Sequence, residues 1–208
     1  MKKCDQAKAM IPELRSYLKN RHGDFLFYTV TVTDKEGKVL KRLSSPSRSY
    51  VQQWNQLINV MAKNSAATVK DTAGVNRTAE CRDNNLRANA GTGVTYMGIR
   101  IGKGTTPVAI TDYALETPLD HGTGADEFYH NTVAISSPSV QGSTCSFTIS
   151  RLMINRSGAT ITGVRELGCY VGLHDSYFAL GFRDVLGSGV DVPDGGAITV
   201  EYTIGVSA

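Results

Sequence analysis

The chain has no closely spaced cysteines, no long apolar run and no concentration of charge of one sign. Its four cysteines, Cys4, Cys81, Cys145 and Cys169, form no C-x-x-C pair, the spacing on which zinc sites and dithiol redox centres usually rely. They read as structural thiols; Cys145 and Cys169 fall in strand-like segments, where a small buried thiol behaves as a hydrophobe. No apolar stretch approaches the roughly 18–20 residues needed to cross a bilayer. The opening MKKCDQAKAMIPELRSYL starts basic but lacks the apolar core of roughly 7–15 residues that marks an export signal. The expectation is a soluble product made in the cytoplasm, with no membrane partner. Lys and Arg number 22 against 19 Asp and Glu, a formal charge of +3, and the basic residues are scattered. A nucleic-acid binder would gather them into a patch or stripe, so no specific nucleic-acid partner is expected. The densest basic stretch, Lys38 to Arg48, reads as the solvated arm of a hairpin.

What is present points to strands. A length of 208 residues suits one domain with an appendage, and 41% hydrophobic with 20% charged residues suits an ordered globular chain. The 21 glycines, together with many Thr, Ser and Val, favour strands joined by tight turns.

Near the N-terminus, Ala9, Met10, Leu14, Tyr17 and Leu18 have a partly helical spacing that Pro12 interrupts, and Gly23 suits the turn that follows. In DFLFYTVTVT, Leu26, Tyr28, Val30 and Val32 share one strand face and Phe25, Phe27, Thr29 and Thr31 the other, with DKEGK as a hairpin turn. SSPSRSYVQQWNQLINVM then predicts a helix over 46–62, with Ser45 as N-cap, Pro46 in the first turn, and an apolar stripe of Tyr50, Val51, Trp54, Leu57, Ile58 and Met61. From Ala67 onward short β-rich segments alternate with turn signals that include NRSG, LGSG and PDGG. The predicted fold is mainly β: an antiparallel β-sandwich or jelly-roll-like body with an N-terminal helix and one amphipathic helix. The expected division is a helical arm over 1–23 and a β-sandwich domain over 24–208 that includes the 46–62 helix.

Candidate chemistry is sparse. MGIRIGKGTT superficially suggests a phosphate loop, but a Walker loop needs G-x-x-x-x-G-K-[ST] opening a helix. Here Gly98 and Gly102 stand too close, Gly104 follows Lys103, and Pro107 opposes a helix. The stretch reads instead as a buried strand and the turn leaving it, with Thr111 or Asp112 capping a further turn that lays Tyr113 and Leu115 on the body. DHGTGADEFYHN collects Asp120, His121, Asp126, Glu127 and His130, yet its spacing matches neither HExxH nor a calcium loop. It reads as an exposed loop, and a metal-assisted hydrolase built on it is the enzymatic alternative. Glu166 beside Arg165 reads as a structural ion pair or rim position, and His174 with Asp175 as a turn. LGSGV has the wrong spacing for a nucleophile elbow. No catalytic, cofactor-binding or metal residue is assigned, and no cofactor is expected.

Three stretches carry a resemblance. IRIGKGTTPVAITDYALETPL, FTISRLMINRSGATITGVRELGCYV and LGFRDVLGSGVDVPDGGAITVEYTI follow one another as a G-x-G-T-T strand and turn, an N-x-S-G hairpin and a closing V-x-V-P-x-G-x-x-I-T-V-x-Y-T-I. With the preceding SSPSRSYVQQWNQLINVM, this pattern over residues 25–207 resembles a group of tailed-bacteriophage virion proteins. The resemblance implies a non-enzymatic particle component located in the virion, as capsid decoration, neck or tail protein. It implies a homo-oligomer or symmetric array whose partners are other virion proteins. It brings no catalytic residue. For assembly contacts the N-terminal face of Met10, Leu14, Tyr17 and Leu18 is the candidate, packing on its own domain being the alternative. A different class of function is a carbohydrate-binding sandwich that recognises host glycans through loops bearing Tyr113, Tyr129, Tyr170 or Tyr177, because aromatic rings can stack on sugars.

Overall fold

The computed structural model describes residues 12–19 and 23–208. Among the described residues helix α1 spans Pro12–Leu18. Ala9 and Met10 lie outside the described residues. Strand β1 (Gly23–Thr33) is buried on both faces. Leu26, Val30 and Val32 enter the main core, while Phe25 and Phe27 on the opposite face meet Leu14 and Leu18 of α1. The described part of the arm therefore packs on its own domain. The DKEGK turn forms as expected, with the Asp34 carboxylate accepting from the amides of Glu36 and Lys38 at 3.1 and 2.8 Å.

Strand β2 (Val39–Ser47) runs through the serines and proline expected to start a helix: Ser45 pairs with Tyr28 and Pro46 with Phe27. This corrects the predicted cap. Proline is tolerated here because β2 is an edge strand and needs no donor on its outer side. Helix α2 starts later, over Gln52–Lys63, after an extended Val51 that makes no side-chain cap. Val51 is held instead by its own N–H, which donates to the carbonyl of Gly181 at 3.1 Å. The buried face is Gln53, Leu57 and Val60, whereas Ile58 and Met61 are exposed. The predicted stripe is thus rotated by one residue, about 100° of helix, because the sandwich packs against the 53/57/60 face.

The remaining strands are β3 (Ala67–Lys70), β4 (Asn76–Ala79), β5 (Gly98–Gly102), β6 (Phe128–His130), β7 (Ala134–Ile135), β8 (Ser139–Gln141), β9 (Thr144–Asn155), β10 (Ile161–His174), β11 (Tyr177–Val192) and β12 (Ala197–Ser207). A seven-stranded antiparallel sheet has the order β2-β1-β12-β9-β6, with β7 and β8 also on β9; β11-β10-β5 form a second sheet and β3-β4 a hairpin. First and last strands pair along their whole length, from Gly23 with Ser207 to Thr33 with Ala197. NRSG and PDGG turn the chain as expected. LGSG does not: β11 continues through it with irregular pairing to β10. Gly189 there lets two backbones approach, since an added Cβ would stand 3.0 Å from the Cα of Gly163.

The inner faces of the two larger sheets share one core. Val30, Met153, Val200 and Tyr202 come from one sheet, and Ile99, Leu167, Val171 and Phe182 from the other. The chain is a mainly β antiparallel sandwich with two helices among the described residues; its strand order carries the sandwich description and not the narrower jelly-roll one. The helix face is checked by a pair of substitutions followed by urea unfolding: Leu57→Ala should cost about 2–4 kcal/mol and its exposed neighbour Ile58→Ala less than about 1 kcal/mol.

Candidate functional site

The glycine-rich stretch that raised a nucleotide site is closed by the chain's own carboxylates. Glu116 Oε2 accepts from the Thr105 and Thr106 amides at 2.8 and 3.0 Å and from Thr106 Oγ1 at 3.0 Å. These bonds, the Thr106 amide foremost, hold its carboxyl below the usual range. Glu166 Oε2 accepts from the amides of Thr117 and Gly104 at 3.1 and 3.3 Å, and Oε1 from the Glu116 amide at 2.6 Å. A side chain at Gly104 would collide, its Cβ falling 2.7 Å from both Glu116 Cβ and Glu166 Oε2. Donors of the kind a phosphate would need are therefore already engaged.

Glu166 is fully buried and its ionic partner is Arg183 of β11, whose Nε donates to Oε1 at 2.7 Å. It is neither a rim residue nor paired with Arg165. Adjacent strand residues point to opposite faces, so Arg165 is directed away while Arg183 arrives from the neighbouring strand. Arg183 also donates from Nη1 to Asp112 Oδ2 at 2.9 Å and from Nη2 to Thr106 Oγ1 at 3.3 Å. Asp112 in turn accepts from the Ala109 amide at 3.0 Å, holding the turn before it rather than the one that follows. Leu115 is buried as expected, but Tyr113 stays largely exposed.

Two further polar clusters lie inside the sandwich. Asp184 Oδ2 accepts from the hydroxyls of Ser47, Ser49 and Tyr202 at 2.8, 2.9 and 2.8 Å; burial pushes its carboxyl up despite these bonds. Arg151 is buried without a carboxylate, donating to the carbonyls of Asn131, Ile99, Gly91 and Val94 at 2.7–3.1 Å. Burial, then the nearby Arg100 charge, lowers its guanidinium to about 10.

The residues of DHGTGADEFYHN find separate partners. Asp120 accepts from Arg100 at 2.9 Å, Asp126 pairs with Lys103, and Glu127 Oε2 accepts from the Gly124 amide at 2.8 Å. His121 Nδ1 accepts from the His130 amide at 3.0 Å, and the His130 ring is fully buried. His130 is thus interior, not part of an exposed loop. Among the described residues no group of three or more His, Cys, Asp or Glu side chains is placed to hold a metal. Asp175 occupies the turn between β10 and β11, as expected, whereas His174 is the last residue of β10, paired with Tyr177.

The four tyrosines considered for sugar stacking do not make one platform. Tyr170 is buried, its hydroxyl accepting from the Leu115 amide at 3.0 Å. Arg77 covers Tyr177 and Arg156 covers Tyr129, each at 4.0 Å from the ring centre. Tyr113 lies against Gly74 and Lys70. Of the proposed assembly contacts, Leu14 and Leu18 are buried in the chain's own core, Tyr17 packs on Phe27 with ring centres 6.0 Å apart, and Met10 lies outside the described residues.

The concave feature that sequence reasoning missed is a groove of about 710 Å³ where α2 meets the open ends of β1, β9 and β12. Trp54, Ile58, Phe147 and Ile204 line it, with Asp24 and Arg48 also on its wall. Tyr50 stacks on Trp54 at 5.0 Å. Its one sequence signal was the alternation of β12, which continues apolar through Ile204 to Val206 although Val206 is half exposed. Comparison with protein-family models, curated proteins and solved structures finds no match to the chain.

Two measurements probe these clusters. Glu166→Gln leaves Arg183 without its buried counter-charge and should cost about 3–5 kcal/mol in urea unfolding. The raised carboxyl of Asp184 means that the folded state holds this proton more tightly than the unfolded state, so its contribution to stability declines as pH rises through the folded value. Asp184→Asn should accordingly gain on the wild type between about pH 4 and pH 7 in thermal unfolding.

Proposed function

We propose that the chain is a non-enzymatic structural component of a tailed-bacteriophage virion, working through protein–protein contacts in a symmetric homo-oligomeric assembly. The observation that carries this reading is where the polar groups of the resembling stretches go. Thr105, Thr106, Asp112, Glu116 and Glu166 bind one another and Arg183, an arrangement that stiffens a loop and leaves no converging set of reactive groups around a substrate. Apolar side chains meanwhile stand outward at Ile110, Val140 and Val206, exposed by 61%, 73% and 50%, the kind of surface that association covers. The position in the particle, as capsid decoration, neck or tail protein, follows from the resemblance alone.

A second reading, a carbohydrate-binding sandwich for host-surface recognition, draws support from the stacked Tyr50 and Trp54 beside the groove. Light scattering on the purified chain separates the two, together with mass spectrometry of purified particles and a glycan array. The expected outcome is a discrete homo-oligomer, presence in the particle and no glycan signal. A monomer at high concentration that is absent from particles would overturn the assembly reading.

A further inference from the structure

The loop over 120–127 completes the long connection from β5 to β6, and His121 within it meets His130 at the end of β6. Its backbone is pinned by the Phe128 amide donating to Asp120 O at 3.0 Å and the Gly122 amide donating to Phe128 O at 3.2 Å. The closing bond is unusual in its acceptor, since the His130 amide donates to the ring nitrogen Nδ1 of His121. A ring nitrogen accepts only while it carries no proton. Protonated His121 would turn an N–H toward the backbone N–H of His130 and lose the bond.

His130 imposes a second requirement of the same sign. Its ring is fully buried, and among the described residues neither ring nitrogen has a partner; the Arg100 Nε is likewise unpaired. The groups that bear on it are all cationic or basic: Arg151 from β9, Arg100 from β5 and His121 from the loop itself, with centres of the two imidazole rings 6.0 Å apart. The carboxylate of Asp120, in the same loop, is bound to Arg100 and has a largely exposed side chain. A proton on His130 would add a third positive charge to an interior where Arg151 already has only carbonyl partners. Burial, followed by the charges of Arg151, Arg100 and His121, holds this imidazole down to about 3.

We propose that His121 and His130 form an acid-sensitive latch: the 120–127 loop stays closed on β6 only while both imidazoles are neutral, and protonation of either opens the loop while the sheets remain folded. The room for the His121 ring is built into the backbone. Gly93 has a left-handed φ of +77°, and a Cβ there would stand 3.3 Å from His121 Nε2. Its amide donates to the carbonyl of His130 at 3.0 Å, which ties the 91–94 turn, whose Gly91 and Val94 carbonyls Arg151 binds, to the strand beside the latch.

Amide hydrogen exchange of the full chain at pH 7.5 and 5.0, corrected for intrinsic rates, tests the latch. A histidine that is neutral when closed and titrates normally when open makes the open state about thirtyfold more populated at the lower pH. Protection of the Gly122, Phe128 and His130 amides should fall by at least that factor, with the amides of Leu167 and Val200 unchanged. In the double variant His121→Gln, His130→Phe, protection of the loop should no longer depend on pH. A wild-type loop equally protected at both values, an unchanged response in the double variant, or loss of protection throughout the sheets would overturn the proposal. Should the double variant fail to fold, nitrogen spectra of the wild-type rings decide: His121 should carry its proton on Nε2 at pH 7.5, and its titration should coincide with the change in the loop amides. Titration with the loop amides unaffected would sink the latch.

Discussion

The contact between Glu166 and Arg183 organises much of the smaller sheet. An ion pair without solvent is tolerable only when nearly every remaining donor and acceptor is matched, and that demand shapes the long connection after β5. The carboxylate draws in the Gly104, Glu116 and Thr117 amides; the guanidinium draws in Asp112 and Thr106. A connection of some length without regular structure thereby becomes a fixed part of the sandwich. The glycines of GKGTT permit a close approach of backbone to carboxylate, as they would for a phosphate, which explains why the stretch looks like a ligand loop while serving an internal partner.

The legible and illegible parts of this fold divide by the range of the interaction. Local signals were readable: the alternation of β1 and β12, the NRSG and PDGG turns, and the existence of α2. What failed depended on tertiary context. Pro46 looks like a first-turn proline, yet an edge strand accommodates it equally well, and only the pairing of Ser45 with Tyr28 decides between them. The apolar residues of α2 span more than one face, so spacing alone could not choose Leu57 over Ile58 as the buried one. LGSG has turn composition, but its Gly189 serves a close contact with Gly163. The partner of Glu166 lies 17 residues away on another strand, beyond any reading based on sequence neighbours, and nothing near Arg151 in sequence announces that carbonyls alone will hold it.

Polar chemistry in this protein is turned inward, while parts of its exterior are apolar. Asp184 with its three hydroxyls, Arg151 with its carbonyls and the carboxylates around Arg183 each specify which elements meet. The groove beside α2 is different in kind, because the inner face of the large sheet runs on there past the cover of the second sheet. Ile58 turns away from the core while Trp54 packs along its edge against Phe182, and together they leave an apolar wall open.

The pairing of β1 with β12 along their full length sets Gly23 and Ser207 side by side at one end of the sheet. A tension applied across these two residues would peel the ladder open one rung after another, instead of shearing all of its rungs together.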